Sequence, residues 1–431
     1  MNVKALQRAD QWLGVPLCFA LSLLRALCGR SAPDCSRPPR SILFVKLAEQ
    51  GSTVLAYAAL RRAVELAGRE NVYFIALEDN RFILDLLGVI PEQNVITVSF
   101  KNFPALVRSA LGAIRRLWRL KLDAAVDLEF FSRGSGALTF LSGARRRAGF
   151  HAFYGGGPYR GDLMTHRLLY NPHRHTSEAF LSLVEALLQP PAALPAFGFV
   201  SPTIPEPPQF APAPAEAAEA REFIRAASVP LLRDRAGLIL LNPNASDLLP
   251  LRRWPAERYV ELAQCVLAKY PEVFIGLTGA PAEEVATREL VRQIGSKRCV
   301  SFAGKTTLRQ LLVIYTLADV LVTNDSGPAH FATLTPIRVV TLFGPETPAL
   351  FAARTPRNSV IWAGIACSPC VSAYNNRQSP CRNNVCMQAI TVEQVFAEVC
   401  RAYKAGGSPA ALPGQNGGTG VLSIRPKANS A

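Results

Sequence analysis

The signatures of two common classes of nucleotide-binding protein are missing from the 431-residue sequence. No turn after a predicted strand reads G-x-G-x-x-G or G-x-x-x-x-G-K-[ST], so neither a dinucleotide-dependent reductase nor a P-loop ATPase is expected. Acidic residues are also few, because 32 Asp and Glu stand against 47 Lys and Arg and leave a net charge of +15. This excess favours an anionic partner: nucleic acid, an acidic membrane surface or a phosphorylated substrate. The sequence has no recognisable nucleic-acid-binding motif, so nucleic acid is not expected as a partner.

The apolar stretch near the N-terminus is too short to cross a membrane. Trp12 to Leu24 is a run of 13 residues without a charge, whereas a spanning helix needs about 20. We predict an apolar helix within residues 1–30, with two placements left open. The helix either lies on an acidic membrane surface, with arginines toward the lipid phosphates, or packs on the protein's own core.

Ten cysteines without regular pairing do not make the disulfide framework of a secreted protein. A reducing compartment is therefore the simpler interpretation. Cys367, Cys370, Cys381 and Cys386 are an exception, since two pairs on one segment could bind zinc. The second pair is separated by four residues rather than two, which favours ordinary thiols over a metal site.

Strands that alternate with helices predict a first α/β domain over residues 40–188. Ser41 to Leu47 and Ala124 to Leu128 have the composition of buried strands, and Phe103 to Leu120 has the period of a basic amphipathic helix. Nine prolines then occur between Pro190 and Pro214, which is too many for a helix or a central strand. We predict a Pro-rich linker over residues 189–236.

The alternation resumes in a second α/β domain over residues 237–388. A helix is predicted at 389–405, and the composition of 406–431 predicts a disordered tail. The expected fold class is therefore α/β, with two Rossmann-like parallel-sheet domains facing each other across a cleft.

Residues 324–330 of the second domain lie between two predicted strands and carry unusual chemistry. Gly327 permits a sharp turn and Pro328 suits the first position of a helix, whose free N–H groups favour an anion such as a phosphate. Other strands of this domain also end in small or polar residues, and the carboxyl ends of parallel strands share one edge. We therefore predict a nucleotide-type ligand there. A capped crossover without a ligand is the alternative.

Five segments carry a resemblance to a known family. They are Val45-Lys46 with Gly51, Arg252-Arg253-Trp254-Pro255, Val322 to His330, Leu342-Phe343-Gly344-Pro345, and Cys367-Ser368-Pro369-Cys370 with Cys386-Met387. Together they resemble glycosyltransferase family 9, the heptosyltransferase-like enzymes of GT-B architecture, over roughly residues 40 to 404.

The resemblance implies an inverting transfer of a sugar, heptose or similar, from a nucleotide-diphosphate sugar to a lipopolysaccharide-type or other envelope glycan acceptor. The transfer would take place at the cytoplasmic face of the membrane, without a cofactor. The sequence has no Asp-x-Asp pair to hold a divalent ion against a diphosphate, so we predict transfer without a metal. The donor-binding residues expected from the motifs and the strand ends are Asn244, Arg252, Gly279, Glu283, Asn324, Asp325, Ser326, Gly327 and His330.

The catalytic base is where the chain departs from the resemblance. Many family members carry an aspartate after the first-domain glycine, but here that residue is Ser52, whose hydroxyl cannot accept a proton at neutral pH without its own base. Glu49 lies on the same predicted turn, and we predict that it is the base. The alternatives are a helix cap, or a chain that has lost catalysis and acts as a binding or scaffold protein. The predicted acceptor-binding residues are Lys46, Gly51, Ser52, His166 and His175, the histidines acting with Arg145, Arg146 and Arg147.

Overall fold

The computed structural model describes residues 10–28, 33–151, 159–195, 197–200, 202–227, 237–245, 249–406 and 421–423. The chain divides into two compact units. The first contains Met1–Glu206 together with Ser372–Gln378, and the second contains Pro207–Val371 and Ser379–Ala431. The division near Glu206 falls within the predicted linker, whereas nothing in the sequence pointed to the return of Ser372–Gln378 to the first unit.

The first unit is built on a six-stranded, wholly parallel sheet in the order β3-β2-β1-β4-β5-β6. Every residue of β1 and β4 is buried, as expected for central strands that are covered on both faces. The strand order reverses between β1 and β4, which makes that position a topological switch point. The strands are β1 (Ile42–Val45), β2 (Val72–Leu77), β3 (Val95–Val98), β4 (Ala124–Asp127), β5 (Arg146–His151) and β6 (His166–Leu169).

Helices cover both faces of this sheet. The basic helix predicted over Phe103 to Leu120 is confirmed with the same bounds, and the side chain of Asn102 caps its first turn by accepting from Ala105 N at 2.9 Å. The helices described in this unit are α1 (Gly14–Leu27), α2 (Gln50–Leu55), α3 (Tyr57–Ala67), α4 (Arg81–Leu87), α5 (Phe103–Leu120), α6 (Arg133–Leu141) and α7 (Thr176–Ala186).

The predicted N-terminal apolar helix forms α1, which packs on α6. Cys18 and Leu21 are buried in one apolar cluster with Ala137 and Phe140. Asp10, which precedes α1, holds α1 against the start of α6. Its Oδ1 accepts hydrogen bonds from the first two backbone N–H groups of α6, at 2.9 and 2.8 Å. None of the helices in the described part of the chain has the length and hydropathy that crossing a membrane requires.

The second unit is built on a seven-stranded parallel sheet in the order β13-β12-β11-β10-β7-β8-β9. Its switch point lies between β7 and β10, which pair in parallel register with Asn242 beside Thr323. The strands are β7 (Gly237–Asn242), β8 (Val273–Leu277), β9 (Cys299–Ser301), β10 (Val320–Asn324), β11 (Arg338–Phe343), β12 (Asn358–Trp362) and β13 (Val421–Ser423).

Two elements of the second unit lie where the sequence predicted none. Helix α8 begins at Pro214, within the predicted linker, where the prolines stop and a run of Ala, Glu and Arg favours a helix. Strand β13 lies in the predicted disordered tail, and residues 407–420 and 424–431 of that tail are outside the described residues. The helices are α8 (Pro214–Ala227), α9 (Ala256–Lys269), α10 (Glu284–Ile294), α11 (Leu308–Leu317), α12 (Gly327–Ala332), α13 (Pro348–Phe351), α14 (Val385–Gln388) and α15 (Val392–Gly406).

Candidate functional site

The turn after β10 is held in place by the side chain of Asn324. Its Oδ1 accepts from Trp254 N at 3.1 Å and from the Tyr259 hydroxyl at 3.2 Å. Its Nδ2 donates to the carbonyls of Pro243 and Asn244, both at 3.1 Å. The two bonds from Nδ2 join the turns after β7 and β10 at the switch point, and the other two join the turn to Trp254 and to α9. Together they occupy an amide that the sequence predicted to contact a donor. Asn324 therefore positions the turn.

Asp325 lies at the centre of a charged cluster at this edge. Arg252 Nε is 3.4 Å from Asp325 Oδ2, and Arg252 Nη1 donates to the Asp325 carbonyl at 3.3 Å. The same guanidinium reaches Glu346, whose Oε1 is 3.3 Å from Nη2. Both carboxylates are buried, with side-chain exposures of 5% and 1%. One arginine thus pairs with two buried acids, of which Glu346 was not predicted from the sequence.

The residues after Asp325 begin α12. Ser326 is the N-cap residue, and its hydroxyl donates to the Asn324 carbonyl at 3.2 Å instead of capping the helix. Gly327 and Pro328 start the helix as predicted. His330 is buried in its last turn, at 7% exposure. The turn predicted between two strands is therefore present, with its half-buried hydroxyl and first backbone N–H groups at the carboxyl edge of the sheet.

Three more predicted donor residues meet at the ends of β7 and β8. Glu283 Oε2 accepts from Ala280 N at 2.6 Å and so caps the helical segment that follows β8. A Cβ atom added to Gly279 would lie 2.8 Å from Asn244 Nδ2 and 3.0 Å from Glu283 Oε2. Glycine is required there because the two side chains approach the backbone closely. Glu283 thus has the structural role of a cap, beside Asn244.

The first unit carries Glu49 at the carboxyl end of β1, on the turn that enters α2. Its backbone is in the left-handed region, with φ of 64°. Its Oε1 pairs with the guanidinium of Arg377, and its Oε2 lies 3.3 Å from the Ser52 hydroxyl, which also donates to the Glu49 carbonyl at 2.9 Å. Gly51 and Ser52 are buried in the first turn of α2. Glu49 and Ser52, predicted as base and acceptor contact, are thus brought together.

Arg377 reaches Glu49 from the returning segment Ser372–Gln378. Its guanidinium lies over the Phe130 ring, 5.6 Å from the centroid. In the same segment Tyr374 packs edge-on against Tyr170, with ring centroids 5.5 Å apart, and donates its hydroxyl hydrogen to the Tyr170 carbonyl. Aromatic packing therefore anchors the segment that supplies the cation. Arg377 lies 328 positions from Glu49, and the sequence offered no signal for the pairing.

A second carboxylate, Glu129, fixes the backbone before Glu49. Its Oε1 accepts from Leu47 N and Ala48 N, both at 2.8 Å. Its Oε2 lies 3.7 Å from Nζ of Lys46, which is fully buried and 5.9 Å from the Phe180 ring centroid. Lys46, predicted to bind an acceptor, thus faces protein groups instead. Glu129 follows β4 at the switch point, which is the positional signal that could have identified it.

His166, predicted to bind an acceptor phosphate, lies away from the edge of the sheet that carries Glu49. His166 is the first residue of β6 and therefore lies at the amino edge of the sheet, opposite the edge that carries Glu49. It is fully buried, and its Nε2 is 3.1 Å from the Gln189 carbonyl oxygen. Burial lowers the pKa of His166 to about 4, so the ring is neutral near pH 7 and carries no charge for an anion.

The other predicted acceptor cations are also used within the protein. His175 is the N-cap of α7 and accepts from Ser177 N at 3.3 Å. Arg146 donates to the Leu187 carbonyl at 3.0 Å, and Arg147 to the Leu163 carbonyl at 2.7 Å, both as buried residues at the start of β5. Carbonyl groups engage the positive charge of Arg146 and Arg147, whereas Arg145, the third arginine of the predicted set, is exposed.

The described residues contain no group of three or more His, Cys, Asp or Glu that could hold a metal ion. The four C-terminal cysteines are free thiols, and Cys370 accepts from the Ser379 hydroxyl at 3.4 Å. Burial raises the pKa of Cys386 to about 11.

Comparison with known proteins was informative. A model of glycosyltransferase family 9 (heptosyltransferase) matches residues 115–379. Lipooligosaccharide heptosyltransferase 2 of Campylobacter jejuni serotype O:6 is 25% identical over 172 residues, or 39% of this chain and 52% of the relative. Lipopolysaccharide heptosyltransferase 2 of Salmonella typhimurium is 32% identical over 102 residues, or 23% of this chain and 29% of the relative. The matched regions thus span about half or less of these relatives.

The fold has a counterpart among solved structures. The E. coli ADP-heptose lipopolysaccharide heptosyltransferase II superposes with a TM-score of 0.62, covering 85% of this chain and 100% of that one at 18% identity. Two Rossmann-like parallel sheets with this likeness constitute the GT-B fold, as the sequence predicted.

Proposed function

Because the chain belongs to glycosyltransferase family 9, we propose that it transfers a sugar, heptose or similar, from a nucleotide-diphosphate sugar to a lipopolysaccharide-type or other envelope glycan acceptor. We further propose that transfer inverts the anomeric centre, needs no metal and takes place at the cytoplasmic face of the membrane. The observation that carries the proposal is the turn after β10, which Asn324 and Arg252 hold at the switch point of the second sheet.

The second unit would hold the donor. A departing nucleotide diphosphate gains negative charge, which fixed N–H groups and a positioned guanidinium stabilise without reorganisation. Arg252 has such a position, because Asp325 and Glu346 fix its direction from two sides. Ser326 and Gly327 would offer backbone N–H groups, with Asn244 and His330 beside them. The E. coli relative is named for ADP-heptose, so an ADP-sugar is the first donor to test.

The first unit would supply the base. The guanidinium of Arg377 favours the ionised form of the Glu49 carboxylate, and an ionised carboxylate can accept the acceptor's hydroxyl proton. Arg377 and Ser52 would hold the carboxylate in one orientation. Ser52 then contributes a hydrogen bond to the base rather than replacing it.

A second candidate function is donor binding without catalysis. Both carboxylate oxygens of Glu49 already have partners, one in Arg377 and one in Ser52. These contacts stabilise the carboxylate where it is and so lower its tendency to take a proton, which agrees with a GT-B binding or scaffold protein.

The test combines binding with turnover. Thermal unfolding would be followed with ADP-, GDP-, UDP- and dTDP-sugars, because a ligand that binds only the folded state stabilises it, by about 2.7 kcal/mol at a hundredfold excess over Kd. Release of the nucleotide diphosphate would then be measured with lipopolysaccharide core acceptors, for the natural chain and for Glu49→Gln. We expect one donor to raise Tm and Glu49→Gln to lower kcat by about 10² to 10⁴ with an unchanged donor shift.

Three outcomes separate the possibilities. Full activity of Glu49→Gln would show that another group is the base. A donor shift without turnover on any envelope acceptor would favour the binding protein. If no nucleotide sugar shifts Tm, the proposed donor site is wrong. Ser52→Ala is the matched comparison, since it removes a hydrogen bond to the carboxylate but leaves the base itself, and it should lower kcat less than Glu49→Gln.

A further inference from the structure

Exposed apolar side chains are concentrated on two helices of the first unit. Among the described residues, twelve of the seventeen exposed large hydrophobic side chains belong to α1, to the two residues before it, or to α5. Single exposed apolar residues are ordinary, whereas a group on one surface indicates an interaction site. The twelve are Trp12, Leu13, Val15, Leu17, Phe19, Leu23, Leu24, Leu27, Phe103, Val107, Leu111 and Trp118.

Helix α5 has two apolar faces, of which the sheet covers one. Ala113 and Leu117 pack into the core between α5 and the sheet. At 3.6 residues per turn, the four exposed apolar side chains of α5 fall in a separate arc of about 80°. The four arginines of the helix, Arg108, Arg115, Arg116 and Arg119, are exposed and occupy the next arc of about 100°. The outer surface of α5 is therefore an apolar stripe bordered by positive charge.

Helices α1 and α5 lie on the same side of the sheet because both pack against α6. Helix α1 contacts α6 through Cys18 and Leu21. Helix α5 shares an apolar cluster with Leu138 of α6, and Trp118 Nε1 donates to the Leu141 carbonyl at the end of α6, at 2.6 Å. The two apolar surfaces thus both border α6, and on α5 the stripe lies beside the face that packs on the sheet.

Charge indicates what would cover this surface. Neither α1 nor α5 contains an acidic residue. A second copy of the chain would bring the same arginines against each other, and like charges at close range repel. An anionic bilayer instead accepts apolar side chains at the boundary of its acyl chains and pairs its phosphates with arginine.

We propose that α1 and α5 together form a surface that binds the anionic face of a lipid bilayer. Leu111, Phe103 and the outer residues of α1 would enter the interface, while the arginines of α5 would contact lipid phosphates. The placements of α1 left open by the sequence then both apply, since one face packs on α6 and the other binds lipid. A lipid-linked acceptor agrees with this surface, but the binding requires neither donor nor acceptor.

Co-sedimentation of the full chain with vesicles tests the proposal. We expect binding to phosphatidylcholine vesicles containing phosphatidylglycerol, and at least tenfold weaker binding to phosphatidylcholine alone. Phe103→Ser with Leu111→Ser should weaken binding at least about tenfold, because two side chains of 64% and 62% exposure would no longer be buried by lipid. Arg115→Gln with Arg119→Gln should weaken it by about fivefold per arginine at low salt and reduce its salt dependence.

Matched controls lie in the second unit. Val285, at 77% exposure, is an equally exposed apolar residue, and Val285→Ser should bind vesicles like the natural chain, as should Arg288→Gln. Equal Tm values would show that all variants are folded.

Equal affinity for both vesicle types, or affinity unchanged in the α5 variants, would overturn the proposal. So would a dimer in sedimentation velocity that Phe103→Ser with Leu111→Ser dissociates, because a second copy would then be the partner. The donor-induced Tm shift is measured without lipid, so a failure of the proposed function would be seen separately.

Discussion

The carboxyl edges of the two sheets are built in different ways. At the second edge one short turn supplies most of the groups, and a single amide, Asn324, joins it to the neighbouring strand end. At the first edge Glu49 depends on residues far away in the sequence, namely Glu129 for its backbone and Arg377 for its charge partner. A site made from one contiguous turn can be identified in a sequence, whereas a site assembled from distant segments has to be seen in the fold.

The largest effect is expected from removing the cation of the second edge. Arg252→Met would leave the buried carboxylates of Asp325 and Glu346 without their guanidinium, which costs about 3–5 kcal/mol of unfolding free energy. Urea unfolding would measure this loss. Arg288→Met is the control, since its exposed pair with Glu284 contributes at most about 1 kcal/mol. Equal losses in the two variants would contradict the burial argument.

A slightly smaller loss is expected from the amide that joins the two turns. Asn324→Leu keeps the volume but leaves the buried Trp254 N–H without its acceptor and the carbonyls of Pro243 and Asn244 without this donor, at about 1–3 kcal/mol for an unsatisfied group. Donor-induced stabilisation should fall in parallel, because the turn loses its attachment. Asn324→Asp retains the acceptor oxygen and should recover part of the stability. Unchanged donor binding in Asn324→Leu would show that the turn does not need this anchor.

The stability of the protein should depend on pH through His166, which lies at the amino edge of the first sheet. The pKa of His166 falls from 6.5 in the unfolded chain to about 4 in the fold, so the unfolded state binds the proton more readily. The stability that comes from keeping His166 neutral in the fold is fully present above pH 6.5. It is lost as the pH falls toward 4, by up to about 3 kcal/mol of unfolding free energy. Urea midpoints across this range would show the loss, and His166→Asn should reduce the slope. An equal slope in both proteins would assign the pH dependence to other groups.

The smallest loss of stability is expected at the carboxyl edge of the first sheet, and it should affect turnover without affecting donor binding. Arg377→Met removes a partly exposed ion pair, so we expect about 1 kcal/mol or less of stability to be lost. The donor-induced Tm shift should stay the same, because Arg377 belongs to the first unit. The turnover rate should fall, since the orientation of Glu49 depends on the guanidinium. A reduced donor shift would show that the two sites are coupled.

The sequence predicted what depends on local pattern. Buried apolar runs identified the strands near Leu43 and Val322, and the period of α5 gave its bounds correctly. The partners Glu346, Glu129 and Arg377 were missed because they lie 94, 82 and 328 positions from the residues they contact. The position of His166 could not be predicted for another reason. Strand residues at opposite ends of β6 face opposite edges of the sheet, and composition does not indicate which end a histidine occupies.

The return of Ser372–Gln378 to the first unit has a consequence for biosynthesis. A nascent chain that has reached Glu206 contains all six strands of the first sheet but neither Tyr374 nor Arg377. At roughly 5–20 residues per second, the ribosome needs about ten to thirty seconds more to supply them. During that interval Glu49 has no guanidinium beside it. The first domain therefore acquires the complete set of side chains around Glu49 only after most of the second domain has been translated.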